Sequence, residues 1–485
     1  MKNSVQLITY VDRIGCNNIE ELQALITGPL KGLFGGIHIL PFYFPIDGED
    51  AGFDPIDHTL IDPRLGNWTD LKSLSEEVDI MADMIVNHMS AQSKEFQDYL
   101  KKGAESAYAS LFLTFDKVFP KGAKESDIRR IYRPRPSSAF TNYKLYDGTS
   151  QLIWTTFTSN QIDIDVKSEE GRSYLEGILD AFQKGGVSLI RLDAVGYAIK
   201  KPGTSCFMLE ETFEFIEELS LKARQRQMEI LVEIHSYYKT QIEIAKRTDY
   251  VYDFALPVLV LDALFNNNAD NLKYWLSISP RNTITVLDTH DGIGIVDVGS
   301  SDGQPGLIAD ETLDRIVEQI HSNSNGESLK ATGAAASNLD LYQVNCTYFD
   351  ALGRDEKSYL IARAVQFFVP GVPQVYYVGL FAGHNDMILL EKTNVGRDIN
   401  RHYYTQEEIQ EQLETPFLKS FKELLVFRNN HPAFYGEFIL HETLPHIIHI
   451  ERKETDHNAV LQVNLLDKTL LISYTEEGEI RELKF

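Results

Sequence analysis

Basic residues, cysteines and long apolar runs are all scarce in this chain of 485 residues. Lys and Arg together number 46 against 71 Asp and Glu, a formal charge of −25. That deficit excludes broad binding to nucleic acid or to an anionic membrane surface, and an anionic substrate would need a local positive pocket working against the global field. The three cysteines, Cys16, Cys206 and Cys346, are odd in number and far apart, and they lack metal-ligand spacing. They exclude a disulfide framework and a cysteine-rich metal site, and reduced thiols in a cytoplasmic protein are the expectation. No stretch of 18 apolar residues occurs, so no membrane span is expected, and the strand-like opening Met1 to Tyr10 is too short and polar for a signal peptide. Internal repeats and low-complexity tracts are also missing. The triplets Asn67-Trp68-Thr69 and Asn345-Cys346-Thr347 match the glycosylation pattern but read as chance in a chain without a leader.

What remains is an ordinary globular composition, 43% hydrophobic and 24% charged, in a chain too long for one compact core. Eight strand-like runs alternate with amphipathic segments. They are Val5 to Thr9, Gly36 to Leu40, Ile80 to Val86, Val187 to Leu192, Ile230 to Glu233, Val251 to Phe254, Thr283 to Leu287 and Val372 to Tyr377. One of the intervening segments, Glu210 to Arg224, carries apolar residues at helical spacing. This alternation predicts an α/β fold, a (β/α)8 barrel of the TIM type. Two spacings are too long for a helix alone. One follows Val86 and contains Tyr132-Arg-Pro-Arg-Pro136; the other follows Asp291 and contains the small-residue stretch Ala331 to Asn338. Both leave from strand C-terminal ends, where they would roof an active site. From about Pro432 the texture changes to short apolar runs such as His446 to Ile450 and Leu470 to Ser473, the pattern of a small antiparallel β domain. The expected division is therefore a barrel from residues 1–86, 168–292 and 354–432, inserted subdomains at its C-terminal face from 87–167 and 293–353, and a terminal β domain from 433–485.

Chemistry concentrates at three strand ends. In Val187-Ser-Leu-Ile-Arg-Leu-Asp-Ala-Val195, Arg191 and Asp193 are two residues apart and so point the same way along a strand. Glu233 closes a second run and His290-Asp291 a third. Two carboxylates facing across a glycosidic bond can run acid/base and nucleophilic chemistry together, about 5–5.5 Å apart in a retaining mechanism. Arg191 should hold Asp193 ionised as nucleophile, whereas burial behind Ile-Leu-Val should raise Glu233 and suit it to general acid work. Asp291 could stabilise an oxocarbenium ion, and His88, after Asp83-Met-Ile-Val-Asn87, adds a donor for a sugar hydroxyl. Taken singly, a strand-end Asp beside Arg is more often a structural ion pair. The ordered occurrence at several strand ends reverses those odds.

Asp83 to His88, Gln161 to Asp165, Ile190 to Val195, Glu233 and Thr289-His-Asp291 resemble the ordered signature regions of the α-amylase superfamily of glycoside hydrolases and transferases. Within it the chain closely resembles the sucrose phosphorylases, through Asp50-Ala-Gly-Phe-Asp-Pro55, Tyr132 to Pro136, Gly196-Tyr197, Thr204 to Phe207, Ala334 to Asn345 and Pro373 to Gly379. The resemblance implies a retaining double displacement in which glucose passes from sucrose to inorganic phosphate through a β-glucosyl-enzyme on Asp193. Glu233 would serve as acid/base, Asp291 would bind ring hydroxyls at the transition state, and α-D-glucose 1-phosphate and fructose would be the products. It also implies a glucose site of Asp50, Phe53, His88, Phe157, Gln161, Arg191, His290 and Arg397, with Asp50 and Arg397 pairing to wall it off. A fructose or phosphate site is implied at Tyr132, Arg135, Tyr197, His235, Asp340, Leu341, Tyr342 and Gln343. In the family, small residues such as those from Gly333 onward permit a loop rearrangement that exchanges fructose ligands for phosphate ligands.

No cofactor and no metal are implied, and the partners are the small molecules alone, with a homodimer left open beside a monomer. The first loop, Phe42-Tyr-Phe-Pro-Ile46, is bulkier than close relatives suggest and could shift acceptor tolerance. The nearest rival readings are sister phosphorylases acting on sucrose 6'-phosphate, glucosylglycerol or glucosylglycerate. The Leu341-Tyr342 pair points to plain sucrose, since relatives for the phosphorylated sugar tend to carry a His-bearing version. A non-catalytic amylase-like binding protein would lack catalytic carboxylates and carry a membrane anchor.

Overall fold

Each of the eight apolar runs becomes a strand in the computed structural model, which describes residues 2–134, 137–301, 303–332 and 343–484. The strands are β1 (Gln6–Thr9), β2 (Gly36–Ile39), β3 (Asp79–Ile85), β4 (Val187–Asp193), β5 (Glu229–Val232), β6 (Tyr250–Asp253), β7 (Thr283–Thr285) and β8 (Val372–Tyr376). All pair in parallel and in chain order, and β8 closes on β1 through Gln6 opposite Gln374, so the sheet has no free edge. Strands buried on both faces read as continuous apolar runs, and Leu189, Ile190 and Leu192 in β4 are fully buried accordingly. The observed ends differ from expectation by a residue or two. β7 stops at Thr285, whose carbonyl accepts a hydrogen bond from Gln366 Nε2 (2.9 Å).

The helices between strands follow from their caps. Helix α1 (Glu169–Gly185) begins where Ser168 accepts from the Gly171 amide, and it stops at Gly186, whose φ of 75° is left-handed. A Cβ at Gly186 would sit 2.2 Å from Ser75 Oγ, so this turn into β4 demands glycine on steric grounds as well. Helix α2 (Glu210–Gln225) then leads to β5.

Two long excursions leave from strand C-terminal ends. Between β3 and β4 the chain forms two small antiparallel pairs, His88–Ser90 with Gln161–Asp163 and Phe140–Lys144 with Ser150–Trp154. Between β7 and β8 it forms the pair Ile293–Gly294 with Gln343–Val344 and the helix Asp310–Asn323. After the barrel, β9 (Glu437–Leu440), β10 (Ile447–Glu454), β11 (His457–Asn464), β12 (Thr469–Glu476) and β13 (Glu479–Leu483) make an antiparallel meander. Its buried face, with Ile448, Ile450, Leu461, Val463 and Ile472, packs toward the barrel helix Glu356–Phe368. All three cysteines are buried free thiols. Among the described residues no helix is long and apolar enough to cross a membrane.

Candidate active site

Arg191 is the hub of the site. It sits opposite Asp83 of β3 in the register of β4, and that adjacency delivers its Nη1 to Asp83 Oδ1 at 2.5 Å. The same nitrogen reaches Asp193 Oδ1 at 3.0 Å, and Nη2 lies 3.7 Å from Glu233 Oε1. One buried guanidinium therefore bears on three carboxylates from three neighbouring strands. Asp83 is further held by His38 Nε2 at 2.9 Å. Against the upward push of burial, His38 and Arg191 pull the Asp83 carboxyl down to about 2, so it is a permanent anion beneath the site.

That arrangement corrects one expectation. Arg191 was expected to hold Asp193 ionised, yet burial pushes the Asp193 carboxyl well above the ordinary range, ahead of the downward pull of Arg191. The negative charges of Glu233, Asp83 and Asp291 push the same way. The physical reason is division: Arg191 spends its closer contact on Asp83. Immediately after Asp193 the backbone turns through Ala194 at φ 55°, an uncommon left-handed conformation for a non-glycine residue, and enters the short helical turn Val195–Tyr197.

Asp291 lies beyond β7. Its Oδ1 meets Arg397 Nη1 at 2.7 Å, with Arg401 at 3.9 Å and His290 Nε2 at 3.7 Å. Burial alone would raise this carboxyl; Arg397, His290 and Arg401 overcome it and hold Asp291 far below the ordinary range. His290 stacks on Phe53, ring centres 4.9 Å apart and 7° from parallel. Burial pushes His290 down to about 3, so its imidazole is neutral at physiological pH.

The three carboxylates face one cavity. Its walls include Asp50, Phe53, His88, Phe157, Gln161, His290 and Arg397 of the expected glucose site, with Arg191 packed beneath them. Tyr132, Tyr197 and His235 of the expected acceptor site line it too. Gln343 approaches from the neighbouring pair of strands, its Nε2 3.4 Å from His235 Nε2. Arg135, Asp340, Leu341 and Tyr342 lie outside the described residues. The His88 ring is oriented by the Phe53 carbonyl, which accepts from Nε2 at 3.0 Å, and it meets the edge of Phe157 at 5.3 Å. At the entrance Tyr132 stacks on Phe207 at 4.5 Å, and Phe207 packs on Tyr197 at 4.8 Å. A Cβ on Gly196 would come within 2.8 Å of the Phe207 ring, so this aromatic cluster depends on glycine there.

Several contributors escaped sequence reasoning. Phe207, Gly196, Ala194 and Ile234 line the cavity, and the first three stood in motif stretches without a role of their own. Asp297 and Lys200 carried no signal, because their partners are distant in sequence. The Lys200 side chain is only 1% exposed. Its ammonium binds Asp163 Oδ2 at 2.7 Å, Asn87 Oδ1 at 2.9 Å and the Tyr197 carbonyl. A cation supplied by the chain itself thus neutralises the polar cluster around Asn87. Among the described residues Glu233, His235 and Asp291 bring possible metal-ligand atoms within 4.8 Å of one another. Arg397 on Asp291 and Arg191 near Glu233 already place positive charge there, which disfavours a divalent ion at that spot.

The family model for the α-amylase catalytic domain matches residues 30–252. A sucrose phosphorylase of Agrobacterium vitis is 62% identical over 90% of each chain. A sucrose phosphorylase of Bifidobacterium adolescentis is 55% identical over 90% of this chain and 87% of its own. The crystal structure of sucrose 6F-phosphate phosphorylase from Thermoanaerobacter thermosaccharolyticum superposes with a TM-score of 0.92 at 38% identity, covering 99% of this chain and 97% of that one. Likeness at that level, over nearly the whole length and on top of three carboxylates meeting at the C-terminal mouth of one barrel, places the chain in the α-amylase family, within its sucrose phosphorylase group.

Proposed function

We propose that this protein transfers the glucosyl group of sucrose to inorganic phosphate with net retention, giving α-D-glucose 1-phosphate and fructose. The observation that carries the reading is that Asp193 and Glu233 line one cavity and bear on opposite nitrogens of a single guanidinium. Asp193 attacks the anomeric carbon while Glu233 protonates the departing fructose oxygen. Phosphate then attacks the β-glucosyl-enzyme, the ester bond to Asp193 breaks, and Glu233 takes the phosphate proton. A nucleophile raised by its surroundings is a stronger base once ionised. Entry of the substrate ring beside the cluster trades repulsion between carboxylates for a developing positive charge that all of them stabilise. Asp291, kept anionic by Arg397, grips ring hydroxyls more tightly as that charge grows. Phe53 and Phe157 offer apolar faces to the sugar, and Asp50 and Arg397 limit the donor site to a single glucose unit.

The likeness to the enzyme for the phosphorylated sugar, at 38% identity, keeps sucrose 6'-phosphate as the second donor to be tried. The 62% and 55% relatives favour sucrose itself. Incubation with sucrose and phosphate should yield glucose 1-phosphate of α configuration, and Asp193→Asn should abolish it while the melting temperature stays close to that of the parent. Preference for sucrose 6'-phosphate or glucosylglycerol over sucrose, or substantial turnover by Asp193→Asn, would overturn the assignment.

A further inference from the structure

We propose that Asp297 is a positioning residue for the second half of this reaction, holding His235 as a cation where phosphate must approach; the inference rests on the phosphorylase reading above. Asp297 is fully buried in the loop after β7. Its Oδ2 meets His235 Nδ1 at 2.9 Å, and its Oδ1 accepts from the Ser236 amide at 3.1 Å and from Gln241 Nε2 at 2.6 Å. The carboxylate thus ties the exit of β5 to the excursion beyond β7. Gly294 closes the arrangement: a Cβ there would stand 2.5 Å from Asp297 Oδ2 and 3.0 Å from His235 Nδ1. On the other side the imidazole stacks on Phe254, ring centres 3.9 Å apart and 16° from parallel. The ring can neither swing nor flip without breaking one of these contacts.

Fixing Nδ1 on Asp297 leaves Nε2 toward the reaction centre, 3.8 Å from Glu233 Oε1. Among the described residues the charged groups facing His235 include Glu233 from the end of β5, Asp291 from beyond β7 and Asp297 from the loop after it. Phe254 stacks on the ring, and Gln343, whose Oε1 accepts from the Gly292 amide, turns its Nε2 to within 3.4 Å of the imidazole Nε2 as a second donor at that spot. Burial alone would lower the pKa of this imidazole; the carboxylates, Asp297 foremost, outweigh burial and raise it from the ordinary histidine value. In the protonated ring Nδ1 is committed to Asp297 and Nε2 carries the N–H that faces the reaction centre.

The two half-reactions need that donor unequally. Sucrose is neutral and draws a proton from Glu233 as fructose leaves. After fructose has left, Asp193 is an uncharged ester, Glu233 is a carboxylate, and the incoming nucleophile is an anion in a chain whose formal charge is −25. A cationic N–H beside Glu233 offsets that repulsion and donates to a phosphate oxygen. Removing its buried counter-charge should be felt by phosphate and scarcely by sucrose.

The test uses Asp297→Asn, His235→Gln and the double variant, with KM for each substrate and kcat followed across pH. In Asp297→Asn the KM for phosphate should rise about tenfold or more, the worth of one charge-assisted hydrogen bond, while the KM for sucrose stays within about twofold. The alkaline limb of phosphorolysis should move to lower pH, because an imidazole deprived of its carboxylate loses its proton earlier. His235→Gln should reproduce the phosphate defect, and adding Asp297→Asn to it should do no further harm. Equal changes in both KM values, an unmoved alkaline limb or additive defects would overturn the proposal. If Asp297→Asn fails to fold, His235→Gln alone decides the matter: a defect shared equally by sucrose and phosphate counts against it. Absence of glucose 1-phosphate from the parent enzyme would instead refute the phosphorylase reading.

Discussion

Replacing Lys200 with Met should loosen the excursion between β3 and β4 and, through it, the glucose site. The ammonium is buried against Asp163, whose side chain has no exposed surface, and it also binds Asn87 and the Tyr197 carbonyl. Breaking a buried ion pair from one side costs about 3–5 kcal/mol, because the abandoned charge stays desolvated. Asp163 keeps hydrogen bonds from the Thr156 amide at 2.9 Å and hydroxyl at 2.5 Å, which puts the expected loss near the lower end, about 3 kcal/mol. A loss of that size raises the population of locally opened molecules by roughly two orders of magnitude. Asp163 lies opposite His88 in the strand pair that also carries Gln161, so the KM for sucrose should rise as well. Limited proteolysis within residues 87–167 and native-state hydrogen exchange read the opening directly. Lys200→Met combined with Asp163→Asn should recover most of the loss, since the uncompensated charge is then gone. A single variant within about 1 kcal/mol of the parent, or a double variant no better than the single, would refute the reasoning.

Arg397→Met should cut kcat/KM for sucrose by about 10²–10³-fold, the usual effect of losing one preorganised partner of the transition state. Its acid limb should move to higher pH, because Asp291 loses the nearest of the cations that hold its carboxyl down. Stability should respond to pH through Asp253, which burial pushes up to about 6 despite hydrogen bonds from Trp275 Nε1 and the Leu256 amide. A folded-state value above the unfolded one means its contribution is full below about pH 4 and declines as pH rises through 6. Asp253→Asn should therefore flatten that decline, removing about 3 kcal/mol of pH dependence in calorimetric melts between pH 4 and 7. An unchanged slope would show that Asp253 is not the responsible group.

The barrel was legible because its evidence is local. Eight buried parallel strands read as apolar runs, turn residues such as Gly186 mark their starts, and period-two alternation puts Arg191 and Asp193 on one side of β4. Residue chemistry at strand ends likewise brought Asp193, Glu233 and Asp291 forward, and all three face one cavity. Strand ends were less legible: β7 stops at Thr285, whose carbonyl accepts from a helix side chain, Gln366.

What the chain alone decided is which residues could do chemistry and on which element each would stand. Tertiary structure decided how charge is divided among them. Arg191 proved to favour Asp83, 108 positions away, over the neighbour two residues on that the alternation had suggested. Lys200 found Asn87 across 113 positions, and His235 found Asp297 across 62. Such pairings leave no local trace, because a buried charge is stabilised by whatever lies within a few ångströms once the barrel has closed, and sequence order says nothing about that distance.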